Sequence, residues 1–68
     1  MDSRSRIVHV VNSYIKENLS KDLSMVVLGD YVGLNPAYLS RIYKETAGQS
    51  INSYISDQRT VLAKKLLK

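Results

Sequence analysis

The apolar residues near the start of the chain recur at the period of an α-helix. Positions i, i+1, i+4, i+7 and i+8 are apolar and therefore fall on one face, namely Ile7, Val8, Val11, Tyr14 and Ile15. Polar residues fill the opposite side, namely Arg6, Asn12, Ser13, Lys16 and Glu17. The pattern predicts a first helix over residues 4–18, because Asn18 can adopt the left-handed conformation that stops helices.

A second helix is predicted over residues 24–32 by its start and stop signals. Ser24 suits the N-cap position, where a hydroxyl accepts from a free backbone N–H, and Leu23 and Leu28 have the spacing of a hydrophobic staple. Gly33 ends the helix, since glycine adopts a positive φ without steric strain. We expect one side of this helix to be buried, formed by Val27, Leu28, Tyr31 and Val32.

The start of a third helix, over residues 36–47, is the most clearly marked. Asn35 suits the N-cap, and Pro36 suits the first helical position because the N–H it lacks would be unpaired there anyway. Gly48 follows the last helical residue and favours termination. The pattern predicts three inward-facing residues, Leu39, Ile42 and Tyr43.

A fourth, longer helix is predicted over residues 50–68. Ser50 suits its N-cap, and its expected apolar face consists of Ile51, Tyr54, Ile55, Val61, Leu62 and Leu66. The chain reaches Lys68 without a stop signal, so we expect a fragment that ends inside or just after a helix. No strand pattern occurs, and the predicted fold is a single small all-α domain, residues 1–68, of four helices.

Composition limits the possible functions of the 68-residue chain. A domain of this size buries only about 60% of its unfolded surface and is marginally stable. The chain has no Cys for disulfides or zinc, no apolar run long enough to span a membrane, and a net charge of +4. A basic excess suits nucleic acid or another anionic surface, although solubility alone also explains such a charge.

The second and third predicted helices form one unit, because only residues 33–35 separate them. Helices joined by so short a connection cross steeply, as in a helix-turn-helix. At such a crossing the backbones come close, and Gly29 supplies a small residue in the middle of the first helix of the pair. Glycine there costs about 1 kcal/mol relative to alanine, so we expect it to be needed for close approach.

The outward face of the third helix is a candidate surface for DNA. The residues at i, i+3, i+4 and i+7 lie opposite the predicted core, namely Ala37, Ser40, Arg41 and Lys44. The second helix of such a pair usually enters the major groove, where the fork of Arg41 matches guanine O6 and N7. The alternative for Arg41 is a solvated side chain that pairs with Glu45.

Neighbouring residues extend this candidate surface. Ser40 can hydrogen-bond a base edge and Ala37 can pack on a thymine methyl. Contacts to the DNA backbone are predicted for Asn35, Tyr38 and Lys44, and less strongly for Arg6, Lys64 and Lys65. Alternatives remain open: Asn35 is first a helix cap, Tyr38 can pack against the preceding helix, and each lysine can be an ordinary solvated charge.

The helix pair matches a general helix-turn-helix pattern in order, at Leu28, Gly29, Val32, Gly33, Leu34, Leu39 and Ile42. More narrowly, GLNPAYLSRIYKETAG at residues 33–48, followed by QSINSYI and Arg59, resembles the AraC/XylS family of bacterial transcription regulators. The resemblance covers nearly the whole chain, from YIKENLSKDLS to AKKLLK. Two positions depart from it: Gly29 stands where alanine is usual, and Tyr43 where phenylalanine is usual.

That family's DNA-binding domain has two helix-turn-helix units joined by a long helix. The resemblance implies that this chain corresponds to the first unit and the connecting helix. It assigns base contacts to the positions of Ala37, Ser40 and Arg41, and double-stranded DNA as the partner. Arg59 matches an arginine of the connecting helix, which we interpret as a structural ion pair or helix anchor before a DNA contact. RNA polymerase is a further candidate partner of a full-length regulator, and we expect a cytoplasmic protein.

Catalysis is poorly supported by the sequence. His9 is the sole histidine, and no second ligand type clusters near it. The acidic residues are scattered, and no nucleophilic triad or phosphate-binding Gly-rich loop can be assembled. We therefore expect no enzyme activity, cofactor, metal, membrane contact or small-molecule ligand in this segment. The alternative to DNA binding is a helical protein-interaction or dimerisation module, suggested by the exposed Tyr38 and the long fourth helix.

Overall fold

The computed structural model describes residues 2–66, which form four helices. In chain order these are α1 (Ser3–Glu17), α2 (Met25–Val32), α3 (Pro36–Ala47) and α4 (Ile51–Leu66). The predicted all-α class is confirmed, and the described residues include no strand. The predicted helix bounds agree to within one residue wherever they can be compared. The predicted continuation of the last helix through residues 67–68 lies outside the described residues.

Side chains cap the helices where the sequence predicted, with one addition. The hydroxyls of Ser24 and Ser50 accept from backbone N–H groups three residues on, at 3.2 and 3.1 Å. Asp2 was not predicted as a cap, yet its carboxylate accepts from the N–H of Ser5 at 2.8 Å, so α1 begins at residue 3 instead of 4. This hydrogen bond to the backbone is the main cause that lowers the pKa of Asp2.

The two predicted glycine stops are confirmed, whereas the stop at Asn18 has a different geometry. Gly33 and Gly48 have φ values of 74° and 80°, in the left-handed region. Asn18 does not adopt that conformation, since its φ is −128°. Its side-chain amide instead donates to the carbonyl of Tyr14 at 2.8 Å, which satisfies a carbonyl left free in the last turn of α1.

The core is aliphatic apart from one tyrosine, and all four helices contribute to it. Helix α3 lies centrally, because it packs against α1, α2 and α4. The buried residues are Val11, Ile15, Leu28, Leu39, Ile42, Tyr43, Ile51 and Ile55. The predicted inward face of α3 is therefore confirmed, which fixes the opposite face of the same helix as the exposed one.

The buried Tyr43 hydroxyl has a specific partner on α1. It donates to the side-chain carbonyl oxygen of Asn12 at 2.6 Å. Asn12 was predicted on the polar side of α1 but is only partly exposed, because it lies beside this hydroxyl. Burial is the main cause that raises the pKa of Tyr43 to about 12. The Tyr43 ring also meets the Tyr54 ring edge-on, at 6.4 Å between centroids.

Four residues predicted to be buried are exposed. Val27 and Tyr31 on α2 are 36% and 57% exposed, and Val61 and Leu62 on α4 are 46% and 41% exposed. In α2, Leu28 is buried and Val32 packs against the core, so the buried side of this helix is narrower than predicted. Tyr31 remains mostly exposed although its ring meets that of Tyr14 on α1, at 4.3 Å between centroids. In α4, burial stops after Ile55. The Leu66 side chain, also predicted on that face, lies outside the described residues.

Candidate nucleic-acid interface

The connection between α2 and α3 is a compact turn of residues 33–35. The carbonyl of Gly29 accepts twice, from the N–H of Gly33 and from the N–H of Leu34 at 2.9 Å. The positive φ of Gly33 makes this double return possible without side-chain strain. The turn thereby holds the start of α3 against the middle of α2.

Gly29 is required by that close approach, as the sequence predicted. A β-carbon added at Gly29 would lie 2.6 Å from the carbonyl oxygen of Leu34 and 3.4 Å from the ring of Pro36. The first distance is far below van der Waals contact, and the obstructing atom belongs to the backbone. The structure shows that the atoms closest to this position of Gly29 belong to the turn, at Leu34, and to the first residue of α3, Pro36.

Asn35 fixes the first turn of α3. Its side-chain oxygen accepts from the N–H of Ala37 at 2.8 Å and from that of Tyr38 at 3.4 Å. Its backbone carbonyl accepts from Leu39 at 2.9 Å, and Pro36 occupies the first helical position. The cap role is confirmed. The side-chain amide nitrogen of Asn35 is then the group that could donate to a phosphate.

The structure brings the predicted DNA-contact residues together on the exposed side of α3 and its cap. Ala37, Ser40, Arg41 and Lys44 are all exposed and share one helix face. The neighbouring Asn35 and Tyr38 are exposed as well. The surface formed by these six residues is called the α3 face below. It offers one guanidinium, one ammonium, two hydroxyls, an amide and a methyl group.

Arg41 lies over an aromatic ring, a contact that the sequence reasoning missed. Its guanidinium carbon is 5.6 Å from the ring centroid of Tyr38, within the range of a cation–π interaction. The alternative pairing is not seen, since no ion pair joins Arg41 to Glu45 among the residues that the structure describes. The i, i+3 spacing of Tyr38 and Arg41 is a sequence signal that could have indicated it.

The other basic residues singled out from the sequence lie on other parts of the surface. Arg6 lines a groove of about 180 Å³ with Ile7, Val10 and Val32, between α1 and the end of α2. Lys64 and Lys65 are exposed in the last turn of α4. Arg59 is exposed on the same helix, and the predicted structural ion pair is not found within residues 2–66.

The described residues hold no group of His, Cys, Asp and Glu side chains that could bind a metal ion. His9 is exposed on α1. No helix within residues 2–66 has both the length and the apolar content needed to cross a bilayer.

The chain is similar to a known regulatory protein. It is 37% identical over 54 residues to "Regulatory protein PocR" of Salmonella typhimurium (strain LT2), and the match covers 79% of this chain and 18% of that protein. The chain thus spans less than a fifth of its relative's length. No family model matches the chain, and no solved structure matches it.

The location of this similarity matters for the candidate interface. A continuous 54-residue segment of a 68-residue chain always contains residues 15–54. The similar segment therefore includes α2, the turn and all of α3. The protein is a small all-α domain in which a tight turn joins α2 to α3, and the α3 face is polar and basic. The similarity to a regulatory protein extends across that part.

Proposed function

We propose that the chain is a sequence-specific, double-stranded DNA-binding unit of a transcription regulator, with α3 as its recognition helix in the major groove. The supporting observation is the position of the α3 face. Its residues are exposed, the opposite side of α3 is buried in the core, and a tight turn fixes the start of the helix. Similarity to a regulatory protein over the same helices adds to this support.

Base contacts are proposed for Ala37, Ser40 and Arg41. The N-terminal part of a recognition helix is the part that usually approaches base edges, and all three residues lie within the first half of α3. The guanidinium of Arg41 presents parallel donors to guanine O6 and N7. The Ser40 hydroxyl can donate or accept, and the Ala37 methyl suits the methyl group of thymine.

Contacts to the DNA backbone are proposed for Asn35, Tyr38 and Lys44. They lie on or beside the same face, so they can reach the phosphates that border the groove. Lys44 supplies a charge, Tyr38 a hydroxyl and Asn35 the side-chain amide nitrogen that its cap does not use. Such contacts position a protein on the duplex without carrying sequence information.

The sequence resemblance refines this proposal to the first helix-turn-helix unit and connecting helix of an AraC/XylS-type regulator. The match to a relative over 18% of that protein's length is consistent with a segment of a larger regulator, in which RNA polymerase would be a further partner. One unit makes few phosphate contacts, so its affinity should fall near the non-specific range of about 10⁻⁴ to 10⁻⁶ M at physiological salt.

The proposal can be tested by selecting duplexes from a randomised library with the 68-residue chain and measuring their affinity for variants. Arg41→Ala should abolish discrimination between the selected site and a site with one guanine replaced. Arg4→Ala is the matched control, because Arg4 is an exposed arginine on α1 and its loss removes the same charge. Equal effects of both substitutions, or no enriched sequence, would contradict the proposal.

A second candidate function is a protein-interaction or dimerisation module. Its supporting observation is the exposure of Val61 and Leu62 on α4, 46% and 41%, after the last buried residue of that helix. Salt separates the two functions, since phosphate binding weakens steeply as salt rises whereas apolar association does not. A tight dimer in sedimentation, insensitive to salt and lost in Leu62→Ser, would favour this second function.

A further inference from the structure

Tyr38 and Arg41 are in contact on the α3 face, and this contact bears on how Arg41 would reach a base. They are three residues apart on one helix and therefore neighbours on its surface. The guanidinium carbon of Arg41 lies 5.6 Å from the centroid of the Tyr38 ring, and Tyr38 is 45% exposed. The ring is thus a surface side chain with the cation of its neighbour above it.

The backbone of Tyr38 lies in the capped first turn of α3, next to the core, which places its side chain one turn before Arg41. Its N–H donates to the Asn35 side-chain oxygen at 3.4 Å, and the next residue, Leu39, is fully buried in the core. By contrast, the arginine side chain is long, and many of its rotamers are accessible when nothing contacts it. An aromatic ring under the guanidinium reduces that freedom.

The kind of contact that Arg41 makes matters for recognition. At 5.6 Å from the Tyr38 centroid, the guanidinium is attracted through its charge, and a ring does not form a bidentate pair with its N–H donors. A carboxylate would accept from two of those donors as a bidentate pair. Arg41 has the ring of Tyr38 and, within residues 2–66, no ion pair with Glu45. Its fork therefore remains available for a base.

We infer that Tyr38 is a positioning residue for Arg41, whose ring orients the guanidinium fork toward guanine and so sets the base preference of the domain. The inference rests on the proposed function. It assigns the ring of Tyr38 a role in specificity, whereas its hydroxyl is proposed to contact a phosphate. The two roles use different atoms of one side chain and can therefore be separated by substitution.

Nuclear magnetic resonance of the free 68-residue chain tests the contact without DNA. An aromatic ring current shifts nearby protons upfield, so the side-chain protons of Arg41 should be shifted in the wild type and in Tyr38→Phe. The shift should disappear in Tyr38→Leu, which keeps an apolar side chain and good helix propensity. Tyr31→Leu, which removes an exposed tyrosine of α2, is the matched control and should leave the Arg41 protons unchanged.

Binding to the selected duplex tests the role in recognition. Discrimination is the ratio of affinities for the selected site and for the site in which the guanine read by Arg41 is replaced by adenine. Tyr38→Leu should lower this ratio about two- to fivefold, the factor that corresponds to an exposed cation–π contact. Tyr38→Phe should keep the ratio and weaken binding to both sites equally. In an Arg41→Ala background, which removes the cation, Tyr38→Leu should have no further effect on the ratio.

The outcomes separate this inference from the proposed function. If the duplex binds and Tyr38→Leu leaves discrimination unchanged, or if Arg41 shows no ring-current shift, the positioning role is wrong while DNA binding stands. If no duplex binds, the proposed function fails and the inference fails with it. Circular dichroism of each variant verifies that the helices are intact, so lost discrimination in a folded Tyr38→Leu variant supports the inference.

Discussion

The carbonyl oxygen of Leu34 lies 2.6 Å from the point where a side chain on Gly29 would begin. This relationship joins the middle of α2 to the turn that starts α3, and it determines how the α3 face is presented. Glycine is unfavourable inside a helix by about 1 kcal/mol relative to alanine. The chain accepts that loss at the position where a methyl group would meet a backbone atom.

Substitution of Gly29 should therefore destabilise the domain in proportion to side-chain size. In Gly29→Ala the gain in helix propensity offsets part of the steric cost, for a net loss of about 1 kcal/mol. Gly29→Val should lose about 3 kcal/mol or more, because a branched side chain cannot be accommodated by a small shift of the turn. Urea unfolding measures both, with Ser13→Ala on the exposed side of α1 as control. A Gly29→Val variant as stable as the wild type would contradict the close approach.

The hydrogen bond between Tyr43 and Asn12 should contribute measurably to stability. Tyr43→Phe removes the hydroxyl that donates to Asn12 at 2.6 Å and leaves a partly buried amide oxygen without its donor, a loss of about 1 kcal/mol. In an Asn12→Ala background the same substitution should cost much less, since the partner is already absent. Equal losses in the two backgrounds would show that the hydrogen bond contributes nothing.

High pH should destabilise the domain through deprotonation of the Tyr43 hydroxyl. Burial raises the pKa of Tyr43 to about 12, from an ordinary value of 10.0, so between these values the unfolded chain loses a proton that the folded chain keeps. Stability from this group is thus fully present below pH 10.0 and is lost as pH rises through about 12. Tyrosinate absorbance should show a late titration step that Tyr43→Phe removes. If the step persists in that variant, the assignment is wrong.

Asn35 is proposed to stabilise α3 and to contact DNA, and two substitutions separate these roles. Asn35→Ala removes the cap that accepts from Ala37 and Tyr38 and should destabilise the domain by about 1 kcal/mol. Asn35→Asp preserves the cap but places a carboxylate near the proposed phosphate. It should remain as stable as the wild type in thermal unfolding and bind DNA more weakly, most clearly at low salt. Unchanged binding would remove Asn35 from the interface.

Lys44 should contribute to affinity through charge alone. Lys44→Gln should weaken binding about equally for all duplex sequences and reduce the slope of log K against log salt by about one. Lys16→Gln is the control, because Lys16 is an exposed lysine in the last turn of α1. An unchanged slope in Lys44→Gln, or the same reduction in both variants, would show that Lys44 does not contact a phosphate.

The local signals in the sequence were sufficient for the helices and for most of their caps, with the Asp2 cap and the geometry of Asn18 as exceptions. Ser24, Asn35, Gly33 and Gly48 act within a few residues of their own position, so their roles could be predicted from neighbouring residues alone. The inward face of α3 was predicted as well, because one helical period defined it. The exposed positions that make up most of the candidate interface were then predicted as those opposite the inward face.

Features that depend on other helices could not be predicted in the same way. Leu62 fits an apolar helical face yet is exposed, and Tyr31 is mostly exposed although its ring meets Tyr14 of α1. Asn12 fits a polar face but meets a hydroxyl that is distant in sequence. For Arg41 the spacing allowed both Glu45 and Tyr38 as neighbours, and only side-chain placement selects the ring.

DNA binding by the α3 face can be measured by chemical-shift mapping of the 68-residue chain during titration with duplex DNA. If α3 binds in the major groove, the backbone amides of Asn35 and of residues 37–44 should shift, together with the side-chain Nε–H of Arg41, and the shifts should diminish as salt is raised. Shifts confined to the far end of α4, around Val61 and Leu62, or no shifts at all, would contradict it.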